Sequence, residues 1–158
     1  MTKIEDRFSK LASYGFSVFP VIARDKKPAV KWASYQTEMP TETDLINWDK
    51  SDFNVGVACG RLSNIVVLDI DSEEAQALYD TYDAPSTPTV RTSRGRHYYF
   101  RAPDVDLRNM THVGKVALDV RGEGGYVVGP GSFIQAAYLT NGRFPRKIVH
   151  SLPCPRSY

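Results

Sequence analysis

The chain has 158 residues, 42% hydrophobic and 24% charged, with a formal net charge of +2, a profile that fits one soluble globular domain with a real core. No apolar run approaches the ~20 residues of a membrane span, and the opening MTKIEDRFSK lacks a signal-peptide core, so the expected location is the cytoplasm. The mild charge does not by itself point to nucleic acid, and two cysteines, Cys59 and Cys154, without a CxxC, read as reduced thiols rather than as a zinc site or a disulfide framework.

In chain order, Ile4, Phe8, Leu11 and Ala12 recur with helical spacing and predict an amphipathic helix over residues 3–14, closed by Gly15. Residues 16–22 (FSVFPVI) read as a strand, with Pro20 marking an edge. A basic loop carrying Lys26, Lys27 and Lys31 follows. Thr41 then caps a short helix whose apolar side is Leu45 and Trp48; Trp48 and Trp32 are assigned to the core. Residues 54–59 and 64–71 read as a hairpin-like pair about the turn at 60–64. Ser72 or Asp71 caps a helix running to about Tyr82, and residues 84–88 break it. Strands are expected at 89–93 and 96–101, joined at Arg94-Gly95, and again at 115–121 and 126–128. Residues 122–125 (GEGG) read as a tight turn, since no P-loop lysine follows. One or two further short strands are expected within 133–151. The domain is expected to span 1–150, with the proline-punctuated 151–158 opening a linker.

The run NIVVLDID (64–71) organises the chain. Strand side chains alternate between faces, so Val66, Leu68 and Ile70 point one way, and Ile65, Val67, Asp69 and Asp71 the other. The two aspartate Cα atoms are then roughly 6.5–7 Å apart. Two more strands share the design: His97, Tyr99 and Arg101 lie opposite Tyr98 and Phe100, and Lys115, Ala117, Asp119 and Arg121 lie opposite Val116, Leu118 and Val120. If all three strands join one sheet, its apolar face packs on the helices of 3–14 and 72–82. Its other face gathers three carboxylates, a histidine and several basic groups. Two carboxylates 4 Å apart repel by about 4 kcal/mol at an effective dielectric near 20. Hard divalent cations, Mg²⁺ or Mn²⁺, would remove that cost. A cation pair beside arginines suits phosphoryl transfer, with the guanidinium fork on the non-reacting phosphates. A lone Asp-x-Asp is more often a solvated strand end; Asp119 and His97 on matching faces turn the reading towards a site. His112 and His150 are read as surface groups.

Four segments, GFSVFPVIARDKKPAVKW, NVGVACGRLSNIVVLDID, RTSRGRHYYF and VALDVRGEGGYVVGPGS, resemble in order and spacing the opening and the three motifs of the bifunctional primase–polymerase domain of plasmid and phage replication proteins. That domain belongs to the archaeo-eukaryotic primase superfamily, and the resemblance covers nearly the whole chain. It implies an α+β fold with mixed or antiparallel sheets, an RRM-like catalytic core flanked by helices. It implies DNA-templated primase and polymerase activity by two-metal nucleotidyl transfer, with pyrophosphate released. By the same resemblance Asp69, Asp71 and Asp119 would hold two Mg²⁺ or Mn²⁺ ions, and His97 would contact the phosphates of the incoming nucleotide. Arg94, Arg96, Arg121, Ser93, Ser132 and Lys115 would hold the triphosphate or the template. The implied partners are single-stranded DNA template and primer, NTP or dNTP, and a helicase on the same or a separate chain. Relatives often carry serine two residues before the histidine, where this chain has Gly95. The competing readings are a non-catalytic nucleic-acid-binding module of the same fold, and a metal-dependent glycosyltransferase using a nucleotide-sugar.

Overall fold

The computed structural model describes residues 6–130. Strand alternation decides how the layers form. Strands β1 (Val18–Val21), β2 (Asn54–Ala58) and β7 (Tyr126–Val128) make a three-stranded sheet in the order β1-β2-β7. Strands β3 (Ile65–Ile70), β4 (Thr89–Arg91), β5 (Arg96–Arg101) and β6 (Leu118–Arg121) make a second sheet in the order β4-β5-β3-β6. Every pairing between these strands is antiparallel. With helices α1 (Arg7–Ala12), α2 (Glu42–Asp49) and α3 (Glu73–Asp80), the architecture is the expected α+β class. No helix among the described residues is long and apolar enough to cross a membrane.

Two expectations are corrected. Strands β2 and β3 are not a hairpin; an isolated bridge joins Gly60, past the end of β2, to Ile65, and the two strands belong to different sheets. Both are buried along almost their whole length, so each needs a neighbour on either side and a layer on either face. A two-stranded pair supplies neither. Gly60 (φ 107°) and Asn64 (φ 55°) turn the chain from one sheet to the other.

The second correction concerns α1. Val66, Leu68, Ile70, Tyr98, Phe100, Leu118 and Val120 pack on Ala75 and Tyr79 of α3, with the Tyr79 and Tyr98 rings stacked at 4.2 Å. Helix α1 is on the other side. Its Phe8 and Leu11 join Val18, Val55, Val57 and Val127 of the first sheet and Ile65, Val67 and Tyr99 of the second in one core between the sheets. The face of β3 that carries Asp69 is therefore apolar over its first half and buried there. Only its carboxylate end is left to face a cleft.

The caps follow the sequence closely. Thr41 and Asp44 form a reciprocal capping box at 3.1 and 3.0 Å, and Ser72, rather than Asp71, caps α3 at 3.1 Å. Pro20 sits in β1, an edge strand, where a missing N–H is tolerated. Helix α1 has no cap of its own. Buried Asp49, at the end of α2, accepts the Phe8 N–H at 2.7 Å and the Ser9 N–H at 3.3 Å instead. Asp49→Ala leaves those donors unsatisfied and should cost about 2 kcal/mol, read as a lower urea midpoint. The expected residues 3–5, the strands at 133–151, the linker at 151–158, Ser132, His150 and Cys154 lie outside the described residues.

Candidate active site

Strand β3 lies between β5 and β6 in a register that pairs Asp69 with His97 on one side and with Asp119 on the other. Directly opposed residues have Cβ atoms about 4.5–5.5 Å apart, so the three side chains form a row across the sheet. His97 Nε2 stands 3.3 Å from Asp69 Oδ1 but is not aligned as a hydrogen bond, so among the described residues that buried oxygen has no donor and buried His97 Nδ1 has no acceptor. Arg121, two residues past Asp119 on the same face, spans the row. Its Nη2 is 2.8 Å from Asp119 Oδ2 and 3.7 Å from Asp69 Oδ2. The other Asp119 oxygen accepts the His112 N–H at 2.9 Å. Asp71 follows the end of β3, its N–H donating to the Ala117 carbonyl at 2.9 Å.

The two aspartates of the Asp-x-Asp pair titrate in opposite directions. Burial raises the Asp69 carboxyl, but the His97 contact and the charges of His97, Arg121 and Lys26 outweigh it and hold the pKa below the ordinary value. For Asp71, burial and then the Asp69 charge win over Lys26, His97 and Arg94, and the pKa is raised. A raised acid binds its proton more tightly folded than unfolded. Stability then falls as pH rises through the interval between the two pKa values, and at neutral pH the Asp71 charge opposes folding. Asp71→Asn should therefore raise the Tm of the metal-free protein at pH 7. The gain should vanish at about pH 3, below the ordinary aspartate value; thermal melts at the two pH values check it. A carboxylate kept at a cost in stability fits a functional role.

The His97–Asp69 end of the row opens, with Arg121, into a cleft of about 230 Å³ whose lining includes neither Asp71 nor Asp119. Asp69, His97 and Arg121 line one side; Lys26, Trp32 and Tyr126 line the other. Trp32 was expected in the core. It does stack on Phe19, at 5.2 Å and 25°, but it also reaches the cleft. Lys26 and Tyr126 were not expected at the site. Their only signals in the chain are the basic KKP loop and the tyrosine after the GEGG turn; Gly124 and Gly125 of that turn also line the cleft.

Other expected residues are distributed less favourably. Arg96 alternates with His97 and so lies on the α3 face of the sheet, its Nη1 3.4 Å from the Tyr98 hydroxyl. Ser93 and Arg94 are exposed in the β4–β5 turn; Arg94 still acts electrostatically on Asp71. The strand expected at 115–121 begins only at Leu118. Positive φ at His112 (51°), Gly114 (68°) and Lys115 (61°) winds the preceding segment into a turn, so Lys115 is an exposed turn residue off the Asp119 face.

A divalent cation needs hard oxygen donors, and Asp69 offers a buried one that lacks a hydrogen bond. Asp71 adds a second carboxylate whose own charge is disfavoured. Asp119 has both oxygens engaged, and among the described residues no three His, Cys, Asp or Glu side chains stand as a group that could hold a metal ion. The donor chemistry fits such an ion; in this arrangement Arg121 is the counter-charge in its place.

The family model described as bifunctional DNA primase/polymerase, N-terminal, matches residues 9–152. No curated protein matches the chain at a significant level. The chain belongs to the bifunctional DNA primase/polymerase family, which implies a nucleotidyltransferase with DNA and nucleotide substrates, in a family that is typically metal-dependent.

Proposed function

We propose that the chain is a DNA-templated nucleotidyltransferase that both starts primers and extends them. The observation that carries this reading is the register His97–Asp69–Asp119 across three adjacent strands, with His97 and Asp69 lining a cleft. Asp69, Asp71 and Asp119 would hold Mg²⁺ or Mn²⁺, a cation pair whose chemistry is to neutralise charge on the attacking and leaving oxygens of phosphoryl transfer. The chain's own residues then position and orient. His97, only 4% exposed, presents its imidazole to a non-bridging phosphate oxygen. Arg121 balances Asp69 and Asp119 in the nucleotide-free state and turns its planar fork to phosphate when that balance is taken over. Arg94 and Ser93, exposed on the β4–β5 turn, would meet triphosphate or template. Ser132 and Lys115 would add phosphate contacts, and Arg96, on the opposite face, a template contact. A helicase partner fits this role, as does a phage or plasmid origin.

The test is incorporation of labelled NTP and dNTP on primed and unprimed single-stranded DNA, with Mg²⁺ and Mn²⁺ compared. Template-dependent products that vanish in Asp119→Ala support the reading. DNA binding with no incorporation under any of these conditions would support a non-catalytic binding module instead.

A further inference from the structure

Lys26 lies on the loop that follows β1, a strand of the other sheet, and lines the same cleft as Asp69. We propose that Lys26 is a phosphate-binding residue for the triphosphate tail of the incoming nucleotide, and that Tyr126 is the positioning residue that holds it across from Asp69 and Asp71. The inference rests on the nucleotidyltransferase reading above.

The loop carrying Lys26 is built rather than loose. It closes at its base through the Val21–Pro28 bridge and the Ile22 N–H to Lys27 carbonyl bond at 2.9 Å. Asp25 Oδ1 accepts the N–H groups of Lys26 and Lys27 at 2.6 and 3.3 Å. The Lys26 carbonyl is then taken by the Tyr126 hydroxyl at 2.6 Å, a contact across 100 positions of sequence. Tyr126 is itself fixed, its ring edge-on to Trp32 at 4.8 Å and to Phe19 at 5.3 Å. The main chain of residue 26 is thus pinned to β7, which forms the cleft wall opposite the row.

The charge pattern argues for a ligand. Lys26 acts on both Asp69 and Asp71, yet forms no ion pair within 4.0 Å among the described residues. Arg121 is already spent on two carboxylates. Lys26 is therefore the cleft-lining cation with its ammonium not committed to a partner. Placed directly against divalent cations it would only repel them. A polyanion entering the cleft gives the ammonium the partner it lacks among the described residues. A compact, strongly hydrated ammonium on a flexible stem suits the mobile end of a triphosphate.

The test combines equilibrium binding with kinetics on the full chain. Binding of a non-reacting nucleoside triphosphate analogue and of the matching monophosphate is measured for wild type, Lys26→Met, Lys26→Arg and Tyr126→Phe. A charge-assisted contact of this kind predicts that Lys26→Met weakens the triphosphate about 10–100-fold and raises its KM likewise. Monophosphate affinity, kcat at saturation and template affinity should stay within about threefold on the same scale. Lys26→Arg restores most of the loss. Tyr126→Phe, which keeps the ring, weakens the triphosphate by a smaller factor, and adds nothing in the Lys26→Met background. Equal losses for mono- and triphosphate, or unchanged triphosphate affinity in Lys26→Met, overturn the proposal even where Asp119→Ala confirms the catalytic reading. Additive losses in the double variant overturn the role of Tyr126. If wild type binds no nucleotide of either kind, the nucleotidyltransferase reading itself falls.

Discussion

Asp69→Asn should abolish nucleotide incorporation, by about 10³-fold or more, while single-stranded DNA binding changes little. The substitution keeps the shape of the side chain and removes its charge at the one position that pairs in register with both other members of the row. Asp69 is paired in register with His97 and Asp119 and shares the Arg121 guanidinium with Asp119. Losing a preorganised charge at a reacting phosphate is worth about 10²–10³ per group in comparable electrostatic sites, and a lost cation ligand adds to it. The same variant carries a stability signature. Because the folded-state pKa of Asp69 is lowered, its charge stabilises the fold above the unfolded-state value, and that contribution is lost as pH falls through the lower folded value. Asp69→Asn should therefore be less stable than wild type at pH 7, with the difference closing in acid. That is the opposite sign to Asp71→Asn, although the two residues are only two positions apart in the chain. Primer extension and thermal melts across pH read both effects. Residual extension near the wild-type rate in Asp69→Asn would remove the row from the chemistry.

How far the site could be read in the chain depends on which periodicity was at work. Alternation in NIVVLDID and RHYYF placed Asp69 and His97 on the face opposite Val66, Leu68, Ile70, Tyr98 and Phe100, and the two pair there in register. Alternation says nothing about which strand lies beside which. A strand buried on both faces looks alike whether it pairs with its sequence neighbour or stands in the middle of another sheet, so β2 and β3 read as a hairpin. At 115–121 the apolar spacing of Val116, Leu118 and Val120 continued past the strand, because left-handed residues such as Lys115 carry no compositional mark. The far wall of the cleft was hidden for another reason. Lys26 and Trp32 are brought to Tyr126 by β1–β2–β7 pairing and by stacking on Phe19, long-range contacts that a local pattern does not encode.

Gly95→Ala should have the second large effect, from a residue with no side chain and no direct part in the chemistry. A Cβ at this position would lie 1.8 Å from the Ile70 carbonyl oxygen and 3.3 Å from the Asp71 Cα. Both neighbours are main chain, so no rotamer change can relieve the contact. The turn cannot simply swing outward either. The Gly95 N–H is held by Thr92 Oγ1 at 3.0 Å, and its carbonyl accepts the Thr92 N–H at 3.0 Å. The end of β3 must therefore move, and with it Asp71 and its bond to Ala117. Overpacking of this kind costs about 1–3 kcal/mol, and displacing a catalytic group by about 1 Å can lower the rate about 100-fold. Serine, the residue that often stands here in the superfamily the chain resembles, adds the same Cβ, so Gly95→Ser should fail in the same way. Arg94→Ala, one residue away with an exposed side chain, should leave the urea midpoint unchanged. Urea denaturation with steady-state incorporation on all three variants separates the cases: a Gly95→Ala protein with wild-type midpoint and rate would mean that the β4–β5 turn does not set the position of Asp71.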